Sequence, residues 1–213
     1  MVNTKNTGIT GSYDRIYTAL HFDRAGLFKL IKDEYGCSTV LYPGCSVHIT
    51  PSFYFRHVVY IDVSETAKEF FQDKQKVLSI INNRKKYKQP AYINFLSHDY
   101  TEELPVRENN YDLLLSIYAG GIIKSCKKYV KTGGIIVSNN HLNDARDALE
   151  DTSVSPEALI RRKGGKYRLE AKANDILLAV LKDRARPSSN MRCSGSGSAF
   201  VDNEIYFLFR KNK

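Results

Sequence analysis

Five short apolar runs, each stopped by a turn or a polar residue, alternate with longer stretches of helical periodicity, and few folds accommodate that pattern. Val40-Leu41-Tyr42 breaks at Pro43-Gly44, and Val58-Val59-Tyr60-Ile61 ends in Asp62. Ala91 to Leu96 follows Pro90, Tyr111 to Tyr118 is apolar almost throughout, and Ile135-Ile136-Val137-Ser138 is the fifth. Continuous apolar runs of this length predict strands buried on both faces, as in a parallel sheet. Between them, Ser64-Glu65 opens a pattern that puts Ala67, Phe70, Phe71, Val77, Leu78 and Ile81 on one face, which predicts a helix covering the sheet. Ile122, Ile123, Cys126, Tyr129 and Val130 form a second helical stripe, closed by Gly133-Gly134. Strands and helices in alternation predict successive βαβ units, and hence an α/β fold: a doubly wound, mostly parallel sheet with helices on both faces.

The flanks are read in the same way. Tyr13, Ile16, Tyr17 and Leu20, then Leu27, Phe28, Ile31 and Tyr35 before Gly36, predict one or two amphipathic helices, so residues 1–36 are expected to pack on a domain spanning 37–213. Thr50 is expected to cap a short helix with Pro51 at its first position. Asn143 to Leu149 reads as helical, 164–169 as a short strand, 174–184 as a helix and 187–198 as a mobile loop. Glu204 to Arg210, aromatic and alternating, suits an antiparallel strand added at the sheet's edge.

Composition narrows the class. The 213 residues are 42% hydrophobic and 26% charged, which excludes disorder over most of the length and suits one large domain. Thirty-two basic against 23 acidic residues give a formal +9, which favours anionic partners where the charge is concentrated. The densest segments are Arg161 to Arg168 and Arg84 to Lys88. The longest uncharged greasy stretch, Leu113 to Ile123, is far below the roughly 20 residues of a membrane span. No secretory signal is read at the N-terminus, and Cys37, Cys45, Cys126 and Cys193 lie scattered without a C-x-x-C pair, so a reducing, cytoplasmic setting is expected. Asp144, Asp147 and Asp151 share a helix face without histidines or loop-spaced oxygens, so no metal site is expected.

Ligands of open parallel sheets bind outside the carboxyl ends of the strands, near the point where strand order reverses. Gly44, after the first strand, lets backbone approach a ligand closely, and Ser46 is small enough not to block it. Asp62, after the second, is placed to accept hydrogen bonds from both hydroxyls of a ribose. Together they describe an adenosine site, although Pro43-Gly44 also serves as a tight turn and Asp62 as a helix cap.

The chain resembles the class I, seven-stranded, Rossmann-like S-adenosylmethionine-dependent methyltransferases. The resemblance runs from about Ser38 to Arg210, through Val40 to Ser46, Val58 to Asp62, Tyr111 to Ala119, Tyr129-Val130-Lys131-Thr132-Gly133-Gly134 and the terminal aromatic strand. It implies S-adenosyl-L-methionine as cofactor, with Tyr42, Pro43, Gly44, Cys45 and Ser46 beneath its methionine part and Asp62 on the ribose. It further implies Val63 beside the adenine, Ser97 and especially Asp99 near the adenine amino group, and Ser116, Ile117, Tyr118 and Ala119 along the floor near the methyl. The family's acid-x-Gly-x-Gly-x-Gly becomes Tyr42-x-Gly44-x-Ser46-x-His48 here. The fourth strand lacks the Asn/Asp-Pro-Pro-Tyr/Phe motif, which disfavours methylation of DNA adenine.

In-line methyl transfer is carried largely by proximity and orientation and needs no covalent help. His48, Tyr118, Asn140 and His141 are the strand-end residues placed to approach an acceptor, each also readable as a structural or surface residue. The expected activity is methyl transfer to an undetermined small molecule or other acceptor. The alternatives are a nicotinamide-dependent Rossmann enzyme, weakened by the absence of Gly-x-Gly-x-x-Gly, and a degenerate relative that binds nucleic acid or acts as a scaffold.

Overall fold

A computed structural model describes residues 13–19, 22–170 and 204–212. Eight strands form one sheet in the order β3-β2-β1-β4-β5-β8-β6-β7. They are β1 (Thr39–Pro43), β2 (His57–Ile61), β3 (Tyr92–Leu96), β4 (Tyr111–Ser116), β5 (Val130–Ser138), β6 (Val154–Lys163), β7 (Lys166–Glu170) and β8 (Ile205–Lys211). The first five pair in parallel, and β8, β6 and β7 extend the sheet antiparallel. The α/β, mostly parallel architecture follows the expectation, with two differences. There are eight strands instead of seven, and the C-terminal strand lies inside the sheet, flanked by β5 and β6, while β7 forms the edge.

The inner strands of the parallel half are apolar on both sides because helices cover both, whereas the edge strand β3 leaves Tyr92 and Asn94 exposed. Val40, Tyr42, Val58, Tyr60, Leu113 and Leu115 face one core, filled by Phe28 and Ile31 of α1 (Ala25–Tyr35), Phe71 of α2 (Glu65–Gln72) and Ile81 of α3 (Lys74–Arg84). Leu41, Val59, Ile61, Leu114 and Ile136 face the other, filled by Ile122 and Cys126 of α4 (Ile122–Cys126) and Ala145 and Ala148 of α5 (Asp144–Ala148). Among the described residues, no helix is long and apolar enough to cross a membrane.

Local chemistry explains the departures from the sequence reading. The single helix expected from Ser64 is two: Ser64 Oγ caps α2 through Ala67 N, and Asp73, with ψ of 73°, ends it and caps α3 through Lys76 N. Gly133-Gly134 closes no helix. It lies within β5, where the register against β4 shifts, and a Cβ at Gly134 would stand 2.6 Å from Val130 Cγ1. Strand β6 escaped the reading because Pro156 and a bulge before Ala158 interrupt its alternation. Thr50–Phe53 is a 3-10 turn with Pro51 near its start, but Thr50 is its first residue and bonds Tyr13 Oη instead of capping. The helix and loop expected at 174–184 and 187–198 lie outside the described residues.

Candidate active site

Strand order reverses between β1 and β4, and a cavity of about 320 Å³ opens at their carboxyl ends. The loop after β1 supplies Gly44, Cys45, Ser46 and His48, the end of β4 supplies Ile117 and Tyr118, and Tyr42 completes the inner wall. Ile16 and Tyr17, on a π-helical turn (Asp14–Thr18), together with Phe22 and Arg24, form the rest.

The β1 loop is held by backbone bonds across the end of β2. Gly44 N and Cys45 N both donate to the Ile61 carbonyl, and Ser46 N donates to Asp62 Oδ2 at 2.7 Å. Asp62 Oδ1 accepts from Ser64 N at 2.8 Å. Each carboxylate oxygen therefore carries one such bond and retains a lone pair for a second. Gly44 has φ of +64°, and a Cβ there would meet the Cβ of Ala119 at 2.9 Å, so the loop and the end of β4 touch where only glycine fits. Val63 is 57% exposed beside Asp62. Asp99, also exposed, caps its own turn through Oδ1, which accepts from Thr101 N and Oγ1, and these bonds lower its pKa.

His48 lies at the base of the cavity and is fully enclosed. Its Nε2 meets the Asp23 carbonyl at 3.1 Å and must carry the proton, so Nδ1 accepts from Tyr42 Oη at 2.9 Å. Tyr17 stacks on the ring at 4.4 Å between centroids. Burial, reinforced by the charge of Arg24, pushes its pKa down to about 3. The folded state thus holds a neutral imidazole that the unfolded chain protonates below about pH 6.5, so stability falls as pH drops from 6.5 towards 3. At pH 5.5 the loss is expected to reach about 1.4 kcal/mol. His48→Gln, which keeps a donor and an acceptor but does not titrate, should flatten this part of a melting-temperature profile; an unchanged slope would assign it to other groups.

Beside the cavity, a buried ion pair joins distant parts of the chain. Arg24 Nη2 donates to Glu204 Oε1 at 2.7 Å, with both side chains 5% exposed. Arg24 Nε donates to Tyr206 Oη, whose own proton goes to Glu204 Oε2. Tyr118 Oη donates to Glu204 Oε1 at 2.5 Å, and the guanidinium lies over the Tyr118 ring, 4.8 Å from its centre. Against the cost of burial, Tyr206, Glu204 and Tyr118 raise the pKa of Arg24.

Of the residues expected near an acceptor, His48 and Tyr118 line the cavity, whereas Asn140 and His141 do not. The Asn140 side chain accepts from Arg146 N, and the His141 ring packs 5.6 Å from that of Tyr118. Ser116 lies on the other side of the sheet, fully buried, with its hydroxyl donating to Asp144. Side chains alternate along β4, so Ser116 and Ile117 cannot share one floor. Ser97 lines a separate groove between α2 and β3. Arg24, Tyr17 and Glu204 were not singled out from the sequence. The apolar spacing at Tyr13, Ile16 and Tyr17 indicates only a helix packed on the domain, and nothing local marks a partner 180 residues away.

This architecture is the fold of the class I S-adenosylmethionine-dependent methyltransferases. Among solved structures that share it is an S-adenosylmethionine-dependent methyltransferase of Thermotoga maritima, described as a possible histamine N-methyltransferase: TM-score 0.54, 9% identity, 96% of each chain covered. Geranyl diphosphate methyltransferase in complex with S-adenosylmethionine matches at TM-score 0.50 and 12% identity, over 97% of this chain and 91% of that one. The [4+2]-cyclase SpnF matches at 0.53 and 12%, over 90% and 82%. In sequence, the chain matches no family model and no curated protein.

Proposed function

We propose that the protein transfers a methyl group from S-adenosyl-L-methionine to an acceptor. The observation that carries this reading is the cavity at the strand-order reversal, bounded by the Gly44 loop and the end of β4, with the Asp62 carboxylate at the neighbouring strand end. The residues fit the cofactor. Asp62 has lone pairs for two ribose hydroxyls, Val63 offers an apolar surface to the adenine, and Asp99 keeps Oδ2 without a partner among the described residues. Bound there, S-adenosyl-L-methionine supplies an electrophilic methyl group on a sulfonium.

Strain points to the same place. Of the seven non-glycine residues with left-handed backbone among those described, Arg24, Ser46 and Tyr118 line the cavity, and Asn140, Leu142 and Asn143 follow β5 at the same end of the sheet. Such conformations persist where the surrounding structure holds them and cluster at functional sites.

The chain's own contribution is orientation and exclusion of water. Burial raises the pKa of Tyr17, Tyr42, Cys45 and Tyr118, and that of His48 is lowered, so among the described residues no titratable group lining the cavity exchanges its proton near neutral pH. The acceptor must therefore arrive with its lone pair available, and proximity carries the rate. The described cysteines Cys37, Cys45 and Cys126 are free thiols, which supports a reducing, cytoplasmic setting.

S-adenosylhomocysteine is expected to raise the melting temperature, with a stabilisation of about 2.7 kcal/mol when present at 100 times its Kd. NADH should give no shift, and Asp62→Ala should abolish the effect. Absence of a shift at millimolar S-adenosylhomocysteine would overturn the reading.

A further inference from the structure

The hairpin of β6 and β7 carries charge that neither the fold nor the cavity uses. Arg161 pairs across the strands with Arg168, and Lys163 with Lys166, so two like-charged pairs stand on one face of a two-stranded ribbon. Like charges directly opposite one another destabilise a sheet. The intervening positions, Arg162 and Tyr167, turn to the other face, where the guanidinium lies over the ring and the ring packs against Gly26 of α1. The ribbon is thus anchored on one face and basic on the other. Glu170 bonds Arg161, but Lys163, Lys166 and Arg168 are exposed and have no acidic partner among the described residues. On the helices, Lys29, Lys68 and Lys76 do have an acid within a turn, in Asp33, Glu65 and Asp73.

The ribbon also projects. Ser138, the last residue of β5, is level with Phe207 of β8, and Phe207 with Leu159 of β6. Lys163 is four residues further on, about 13 Å beyond the carboxyl end of the parallel strands at 3.3 Å per residue. The second basic segment, Arg84 to Lys88, lies at the opposite edge, between α3 and the start of β3. There Arg84 bonds Asp14 and Lys85 the Gln89 carbonyl.

We propose that the β6–β7 ribbon is a docking surface for a nucleic-acid strand, with Lys163, Lys166 and Arg168 contacting its phosphodiester backbone at the edge of the sheet that carries the cavity. A row of closely spaced fixed charges with no acidic complement among the described residues suits a polymer of regularly spaced monoanions, and its phosphates relieve the cross-strand repulsion. The formal +9 of the chain adds long-range attraction. The inference is independent of methyl transfer, since binding is read without cofactor.

The test is fluorescence anisotropy of labelled 20-nucleotide RNA and DNA strands with the whole protein at several salt concentrations, alongside thermal melting. Wild type should bind with an affinity that falls steeply with salt. K163T/K166T/R168T should weaken binding by at least about tenfold and reduce the log–log salt slope by about 2, as expected for three lost phosphate contacts on a single strand. Lys166→Glu, which places a carboxylate opposite Lys163, should weaken binding while the melting temperature holds or rises, a divergence that a purely structural role does not produce. K85T/K88T should bind like wild type. Absence of binding at low salt, equal losses from the two basic segments, or equal affinity for polyglutamate would each overturn the proposal, the last by assigning the ribbon to acidic proteins.

Discussion

Glu204→Ala is expected to cost the fold about 3–5 kcal/mol, because it leaves the Arg24 guanidinium buried without its counter-ion. For a chain of this size that corresponds to a fall in melting temperature of roughly 6–20 °C. The carboxylate accepts hydrogen bonds from Arg24, Tyr118 and Tyr206, so its removal takes an acceptor from donors in three separate parts of the chain at once. Arg24→Met should be similarly harmful, leaving a buried carboxylate without its counter-ion. The double variant Arg24→Met/Glu204→Leu should recover much of the loss, since an apolar pair avoids desolvating two charges. Single variants melting within about 2 °C of wild type would show that the pair contributes little to stability.

The second large effect is expected at Gly44. Gly44→Ala forces a side chain into a left-handed backbone, at about 1–2 kcal/mol, and drives its Cβ against that of Ala119, at a further 1–3 kcal/mol or so. Ala119→Gly in the same chain removes the second cost and leaves the first, so the double variant should be the more stable of the two. Because the loop's amides are held by Ile61 and Asp62, the displacement should also abolish stabilisation by S-adenosylhomocysteine, and in the double variant that response should partly return. Equal melting of Gly44→Ala and wild type would mean that the loop does not meet the end of β4 as described.

The parallel half of the sheet was legible because burial on both faces leaves uninterrupted apolar runs, as at Val58 to Ile61 and Leu113 to Leu115. The turn at Gly44 and the acid at Asp62 could be placed because each directly follows such a run. What the sequence hid was non-local. Pro156 disguises β6, the position of β8 between β5 and β6 depends on partners far along the chain, and Ile16, Tyr17, Phe22 and Arg24 reach the cavity through contacts with no local signature. Ser116 is a different case: strict alternation against Ile117 already contained the answer, which strand-end position alone overrode.

The junction of Arg24 with Glu204 bears on when the site becomes complete. Arg24, which lines the cavity, is fastened by a residue emerging from the ribosome 180 positions later, and among the described residues β6 and β7 join the sheet only through β8. A nascent chain halted before residue 204 can pair β1 to β5, yet it lacks the anchor for Arg24 and the strand that bridges the two halves of the sheet. Closure of long loops is slow. The cavity is therefore expected to be finished after the parallel core has formed, and any stabilisation by S-adenosylhomocysteine in chains of increasing length should begin only once β8 is present.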